Sequence, residues 1–149
     1  MPYVTGFALE QDNIATARKL YIEVFEKGNV DFFDEIASPE FQDQDPTNPT
    51  DDFGGVKESM KMTLTAFPDI RVTIHDIFEA GDKVVVRFTY TGTHKGEFLG
   101  IKPTNKKIKV KGIDIIRFAD GKAVEHWGEI NGFSILQQMG IDGPTHGNK

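Results

Sequence analysis

The spacing of the apolar residues changes from a helical period to a period of two near Ile70, and this change limits the possible folds more than any other feature. Before Ile70, apolar side chains recur at intervals of three and four residues, as in amphipathic helices. After it they alternate with polar residues, as in β-strands. Helices followed by a run of strands are typical of an α+β domain, in which the helices pack on one face of an antiparallel sheet.

The first half of the chain has the start and stop signals of helices. Asp12 or Asn13 can cap the first helix, and Gly28 suits the left-handed backbone beyond its end. Pro68 ends the last helix, because the residue before a proline avoids helical geometry. The stretch 41–53 is acidic and contains two prolines, so it is interpreted as a loop. The predicted helices cover residues 13–27, 30–37 and 55–67.

The second half of the chain alternates strand patterns with tight turns. The predicted strands cover residues 70–79, 83–93, 107–118 and 123–131. Residues 80–83 and 119–122 connect them as hairpins, and the second turn contains an Asp-Gly pair, a strong hairpin signal. Residues 94–106 are predicted to form an irregular loop. We expect one domain, residues 1–149, with a core over about 12–141 and frayed ends.

Charge and composition exclude several classes of protein. The net charge of -6 disfavours nucleic acid as a partner, since phosphate binding needs clustered Lys and Arg. The basic segment 106–111 alternates with apolar residues and is predicted to be a solvated strand face. The chain has no cysteine, no His-x-x-x-His pair and no apolar run near the ~20 residues that span a bilayer. We therefore expect a cytoplasmic protein with no membrane contact and no metal site.

Five segments resemble the SnoaL-like polyketide cyclases and ester cyclases, in the same order. They are FPDIR (67–71), TGTHKGEFLGIKPT (91–104), RFADGK (117–122), EHW (125–127) and QQMG (137–140). The resemblance covers about residues 14–141. It implies the nuclear-transport-factor-2-like fold, a cone-shaped curved antiparallel sheet with N-terminal helices on its concave face. It also implies acid/base chemistry on a hydrophobic carbonyl compound, an aldol cyclisation or isomerisation that uses no metal or organic cofactor.

Asp114 is the first candidate for the catalytic base. It lies among β-branched residues in a predicted central strand, where a charge is costly unless it faces a pocket or pairs with a cation. An apolar wall built from some of the twelve Phe residues would raise the pKa of such a carboxyl toward the working pH. The alternative interpretation is that Asp114 forms a structural ion pair with Arg87 on the neighbouring strand. Arg87 is also a candidate substrate contact beside Asp114.

Glu129 is the second acid/base candidate. In the last predicted strand it shares a face with Trp127 and Asn131, and this face is predicted to be a pocket wall where Trp127 and Asn131 orient the substrate. His126 is then predicted to point away from the pocket, unless a bulge shifts the register of the strand. The resemblance implies a catalytic aspartate near this point, where the chain has Gly128, Glu129 and Asn131. The alternative is that Glu129 is solvated at the rim.

Two further residues are substrate-binding candidates. Gln44 lies in the acidic segment 41–46, at a position where the resemblance implies a histidine, and this segment can either position a substrate or simply form turns. His94 follows the second predicted strand and is expected at the pocket mouth, with a surface loop as the alternative.

Three function classes remain open from the residues alone. The first is an enzyme of the cyclase or isomerase type. The second is a non-catalytic module that binds a hydrophobic small molecule, which the replaced histidine and aspartate positions favour. The third is a dimerisation domain. We expect a homodimer, and the face with Lys107, Lys109 and Lys111 is too charged for its core, so the opposite face or the last strands would pair.

Overall fold

A computed structural model describes residues 12–46 and 48–141 of the chain. The predicted helices precede the predicted strands, as expected, but one short strand lies between the second and third helices and a further helix follows the last strand. The four predicted strands are confirmed to within one residue at either end. The elements are α1 (Asn13–Leu20), a π-helical continuation (Tyr21–Glu26), α2 (Phe32–Ile36), β1 (Ala37–Asp43), α3 (Phe53–Ala66), β2 (Arg71–Ala80), β3 (Lys83–Thr93), β4 (Lys107–Ala119), β5 (Lys122–Ile130) and α4 (Gly132–Gln138).

The predicted caps and turns have the expected geometry. The side chain of Asp12 accepts a hydrogen bond from the amide of Ala15 at 3.1 Å and caps α1. Gly28 has a φ of 73°, the left-handed conformation expected beyond a helix end. Asp120 and Gly121 have φ values of 51° and 74°, which is the pair of positive angles that a type I′ hairpin turn needs.

The sheet has the strand order β1-β5-β4-β3-β2. Strands β2 to β5 pair antiparallel as predicted, whereas β1 is an edge strand that pairs parallel with β5. The sequence prediction was wrong at β1, because residues up to 37 were assigned to a helix and those from 41 to a loop. Pro39 breaks the strand pattern, and an edge strand tolerates a proline because one of its sides needs no ladder hydrogen bond. Helix α4 was not predicted.

The helices cover one face of the curved sheet and form the core with it. The side chains of Val84, Val86, Phe88, Ile116 and Phe118 are buried against the helices. On the other face of β4, Lys107, Lys109 and Lys111 are exposed, so the predicted period-two alternation is confirmed. None of the helices in the described residues combines the length and hydropathy that a bilayer-spanning helix needs. The predicted frayed ends lie outside the described residues.

Candidate active site

A cavity of about 150 Å³ lies between the helices and the covered face of the sheet. Its size suits roughly one six-membered ring, since an apolar protein cavity of that volume can hold benzene. Ser59 and Thr63 of α3 and Asp45 line other parts of it. A group of four polar side chains, Tyr21, Asp43, Asp114 and His126, also lines it. The apolar part of the wall includes Leu20, Phe25, Phe33, Phe41, Val56, Met60, Phe88, Ile116 and Ile130.

The four polar side chains form one hydrogen-bonded chain. His126 contacts Asp43 through Nδ1, at 3.0 Å from Oδ1 and 3.1 Å from Oδ2. Through Nε2 it contacts Asp114 Oδ1 at 2.9 Å. The hydroxyl of Tyr21 donates to Asp114 Oδ2 at 2.5 Å. Both oxygens of Asp114 therefore accept a hydrogen bond inside the cavity.

A local irregularity in β5 turns His126 toward the cavity. Ala123 and His126 both line the cavity although they are three residues apart, because the β4–β5 pairing shifts between Arg117 and Phe118. Such a bulge adds one residue to a strand and reverses which face the following residues occupy. The prediction that His126 points away from the pocket was wrong for this reason. Trp127 and Glu129 consequently lie on the outer face of the sheet.

His126 is an imidazolium ion at neutral pH. Burial alone lowers the pKa of His126, but hydrogen bonds to Asp114 and then Asp43 outweigh it and raise the pKa from 6.5 to about 10. Both ring nitrogens then carry protons and donate to the two carboxylates. Burial, and secondarily the charge of Asp114, raise the pKa of Tyr21 well above its usual 10, so Tyr21 is a neutral donor. The cavity thus holds an imidazolium between two carboxylates, with a phenol on one of them.

The ion cluster makes a pH-dependent contribution to stability. The pKa of His126 is about 10 in the folded chain and near 6.5 when unfolded, so the folded state binds the extra proton. This stabilisation is complete below pH 6.5 and is lost as the pH rises through 10. We expect the difference in unfolding free energy between wild type and His126→Gln, measured by urea denaturation, to be largest just below pH 6.5 and to shrink as the pH rises toward 10. A difference independent of pH would contradict the assigned protonation.

Of the seven site residues expected from the sequence, Asp114 alone lines this cavity. Its expected partner Arg87 instead donates to Asp76 at 2.6 Å on the outer face. The register explains this: Asp114 lies opposite Val86 on β3, so the next residue, Arg87, points the other way. The interpretation of Asp114 as a structural pair with Arg87 was therefore wrong.

The other expected site residues have different roles. Glu129 is exposed on the outer face, which agrees with its solvated alternative. Asn131 caps α4, where its Oδ1 accepts from the amide of Ser134 at 3.0 Å. The side chain of Gln44 donates to Glu125 at 3.1 Å, outside the cavity.

His94 is fully buried away from the cavity, so the expectation that it reaches the pocket mouth was wrong. Its Nδ1 accepts from the amide of Thr104 at 3.2 Å, and its ring packs on Phe67, with centroids 5.6 Å apart. The histidine thus stabilises the long β3–β4 loop.

Two of the cavity's polar residues were missed by sequence reasoning. Tyr21 lies on the apolar face of the first helix, where an aromatic residue is indistinguishable from ordinary core. His126 requires knowledge of the bulge. Asp43 was considered only as part of the acidic segment 41–46. Among the described residues, no group of three or more His, Asp or Glu side chains has an arrangement suited to a metal ion.

Comparison with known proteins identifies the family and the fold. The family model described as SnoaL-like polyketide cyclase matches residues 15–139. Among solved structures, a candidate polyketide cyclase from Acidithiobacillus ferrooxidans is 30% identical, with 84% of this chain and 92% of that chain covered and a TM-score of 0.73. IdmH from Streptomyces antibioticus, also a candidate polyketide cyclase, is 30% identical, with coverages of 85% and 97% and a TM-score of 0.71.

The similar structures carry more than one assigned activity. AclR from Streptomyces galilaeus, a candidate hydroxylase, is 29% identical over 87% of this chain and 99% of that chain, with a TM-score of 0.75. None of the curated proteins matches the chain. The shared fold therefore does not by itself decide the reaction, which depends on the side chains of the cavity.

Proposed function

The chain belongs to the SnoaL-like polyketide cyclase family, and from this premise we propose that it catalyses a cofactor-independent aldol cyclisation or isomerisation of a hydrophobic carbonyl compound. The observation that carries the proposal is the position of Asp114. Its carboxylate accepts hydrogen bonds from Tyr21 and His126 at the polar end of an otherwise mainly apolar cavity. A carboxylate in such surroundings can remove a proton next to a carbonyl group.

In the proposed mechanism, Asp114 takes the proton from the carbon next to the substrate carbonyl, and an enolate forms. The negative charge moves from Asp114 to the enolate, where the nearby imidazolium of His126 continues to stabilise it. Once Asp114 is protonated, the hydroxyl of Tyr21 is free to donate to the enolate oxygen. The enolate carbon then bonds to a second carbonyl carbon, and the resulting alkoxide takes the proton back from Asp114. No redox change occurs.

Asp43 has a positioning role in this proposal. It is buried, and its Oδ1 accepts from the amide of Asp45 at 2.8 Å as well as from His126. The fixed carboxylate holds the imidazole ring with Nε2 directed at Asp114. It also helps to keep His126 charged.

A small ring-fused ketone provides the direct test. The cavity has room for the carbonyl-bearing ring of 1-tetralone, and because the cavity is partly open to solvent, the second ring can extend from its mouth. With this probe in D₂O, NMR follows the exchange of the protons next to the carbonyl. We expect wild-type protein to accelerate this exchange over buffer. Glu129→Gln is the matched control, because it alters a carboxylate on the outer face, and it should exchange like wild type. If tetralone binds in the cavity without faster exchange, the protein is the non-catalytic binding module.

We also propose that two copies pair through the outer face of the sheet. Phe78, Val85, Ile115 and Trp127 are consecutive partners in the ladders of β2 to β5, so they form one apolar row across four strands. Phe78 is 51% exposed in the single chain. The row includes β4 and β5, the last strands, which were one expected dimer surface, and it lies on the same face of β4 as Lys107, Lys109 and Lys111 but toward the other end of the strand. The inner face, the other expected surface, is covered by the helices. An apolar row of this kind is suited to the centre of an interface.

The dimer proposal predicts the effect of a charge in this row. Phe78→Asp should convert the dimer to a monomer, because an unpaired carboxylate at an interface centre is costly to desolvate. Light scattering of the purified protein measures the mass. Phe133→Asp changes a phenylalanine of similar exposure, 52%, on α4 and should leave the mass unchanged. A wild-type protein that is monomeric at all concentrations would refute the pairing.

A further inference from the structure

Gly128 lies directly opposite Asp114 in the β4–β5 ladder. A Cβ atom placed on Gly128 with standard geometry would lie 2.6 Å from Asp114 Oδ1. It would also lie 2.8 Å from Cε1 and 3.0 Å from Nε2 of His126. Nonbonded heavy atoms do not approach so closely without displacement. The carboxylate of Asp114 and the ring of His126 therefore occupy the space that a side chain at position 128 would need.

Backbone conformation does not explain the glycine. The described glycines with a positive φ are Gly28, Gly81, Gly100, Gly121 and Gly140, and Gly128 is absent from this group. The backbone at position 128 is thus open to any residue, and the requirement is steric. The atoms that impose it are the two that form the hydrogen bond between Asp114 and His126, together with the neighbouring ring carbon.

We propose that Gly128 is a positioning residue that decides which strand supplies the cavity carboxylate. With glycine at 128, the space beside the His126 ring is filled by Asp114 from β4. With aspartate at 128 and a small residue at 114, a carboxylate from β5 would reach the same ring once the ring moves away from the new Cβ, which would otherwise lie 2.8 Å from Cε1 and 3.0 Å from Nε2. The catalytic consequence rests on the proposed function, whereas the steric relation between the three residues does not.

The first test is Gly128→Ala, with the ring of His126 titrated by NMR. The added methyl group displaces the carboxylate or the ring, so we expect the pKa of His126 to fall by about one unit or more from its value near 10. Exchange of tetralone should fall at least about tenfold. Gly132→Ala is the control, since a Cβ there meets no atom within 4 Å, and it should leave both readouts unchanged. An unchanged titration in Gly128→Ala overturns the inference.

The second test moves the carboxylate between strands. Asp114→Ala should lower the pKa of His126 and remove exchange activity. Combining it with Gly128→Asp should restore the raised pKa and make exchange at least about ten times faster than in Asp114→Ala. If the pKa of His126 in the double variant is the same as in Asp114→Ala, a carboxylate at position 128 does not replace the one at position 114, and the inference is refuted. If wild type itself shows no exchange, the proposed function fails, and the titration still decides the steric inference.

A stability cycle covers the case in which Gly128→Ala folds poorly. The melting temperatures of wild type, Gly128→Ala, Asp114→Ala and the Asp114→Ala/Gly128→Ala double variant are compared. Because Asp114→Ala removes the atom closest to the new Cβ, Gly128→Ala should lower the melting temperature less in that background, where the close contacts with the His126 ring remain. If Gly128→Ala lowers the melting temperature equally in wild type and in Asp114→Ala, the side chain of Asp114 is not the reason for a glycine at position 128.

Discussion

Asp114→Asn is expected to reduce the exchange and cyclisation activity by about 10³-fold, within the range that a positioned general base contributes. Asparagine has nearly the same shape as aspartate, but its amide cannot take up the substrate proton. The loss should appear in kcat, because the apolar wall that binds the substrate is untouched. Steady-state rates with a cyclising substrate, or tetralone exchange, measure it.

The same substitution should leave the fold intact with a modest loss of stability. Tyr21 and His126 both donate to Asp114, so one of them would face the amide N–H of asparagine without an acceptor. A buried donor left unpaired costs about 1–3 kcal/mol. Circular dichroism and urea denaturation separate this cost from the catalytic loss. If Asp114→Asn retains wild-type turnover, another group is the base and the proposed mechanism is wrong.

Phe88→Ala is expected to be among the most destabilising single substitutions, at about 3–5 kcal/mol. The ring is 1% exposed, and its centroid lies 4.6 Å from that of Tyr90 and 5.6 Å from that of Tyr21. Its edge also fills the space over Gly112, where a Cβ would lie 2.5 Å from Cζ. Removing the ring therefore leaves a void between the sheet and α1 that the backbone cannot close.

Urea denaturation measures this loss, and Phe133→Ala is the matched control. Phe133 is 52% exposed on α4, so its truncation should change stability by no more than about 0.5 kcal/mol. A loss below about 1 kcal/mol for Phe88→Ala would mean that the site relaxes around the missing ring. Because Phe88 also supports Tyr21, the variant should in addition lower activity.

The strands and their turns were predictable because their signals are local. Alternating side chains mark β2 to β5, and the Asp120-Gly121 pair has the backbone freedom that its turn requires. Strand β1 was not predictable in this way. Its seven residues include Pro39, and it forms only by pairing with β5, about eighty residues further along the chain.

The candidate site was likewise predictable only in part from the sequence. Asp114 could be selected from the sequence, because a charged residue amid apolar strand residues needs a compensating environment. Its true partners could not be selected. They depend on the bulge that turns His126 inward, on the helix face of Tyr21 and on the edge strand that delivers Asp43.

The sequence by itself therefore determined the order of helices and strands, the two hairpin turns and one cavity carboxylate, since each follows from neighbouring residues. The tertiary structure alone decided which sheet face lines the cavity, because a one-residue bulge in β5 moves His126 inward and Trp127 and Glu129 outward. The change of period near Ile70 locates the sheet, but strand register decides which side chains meet inside it.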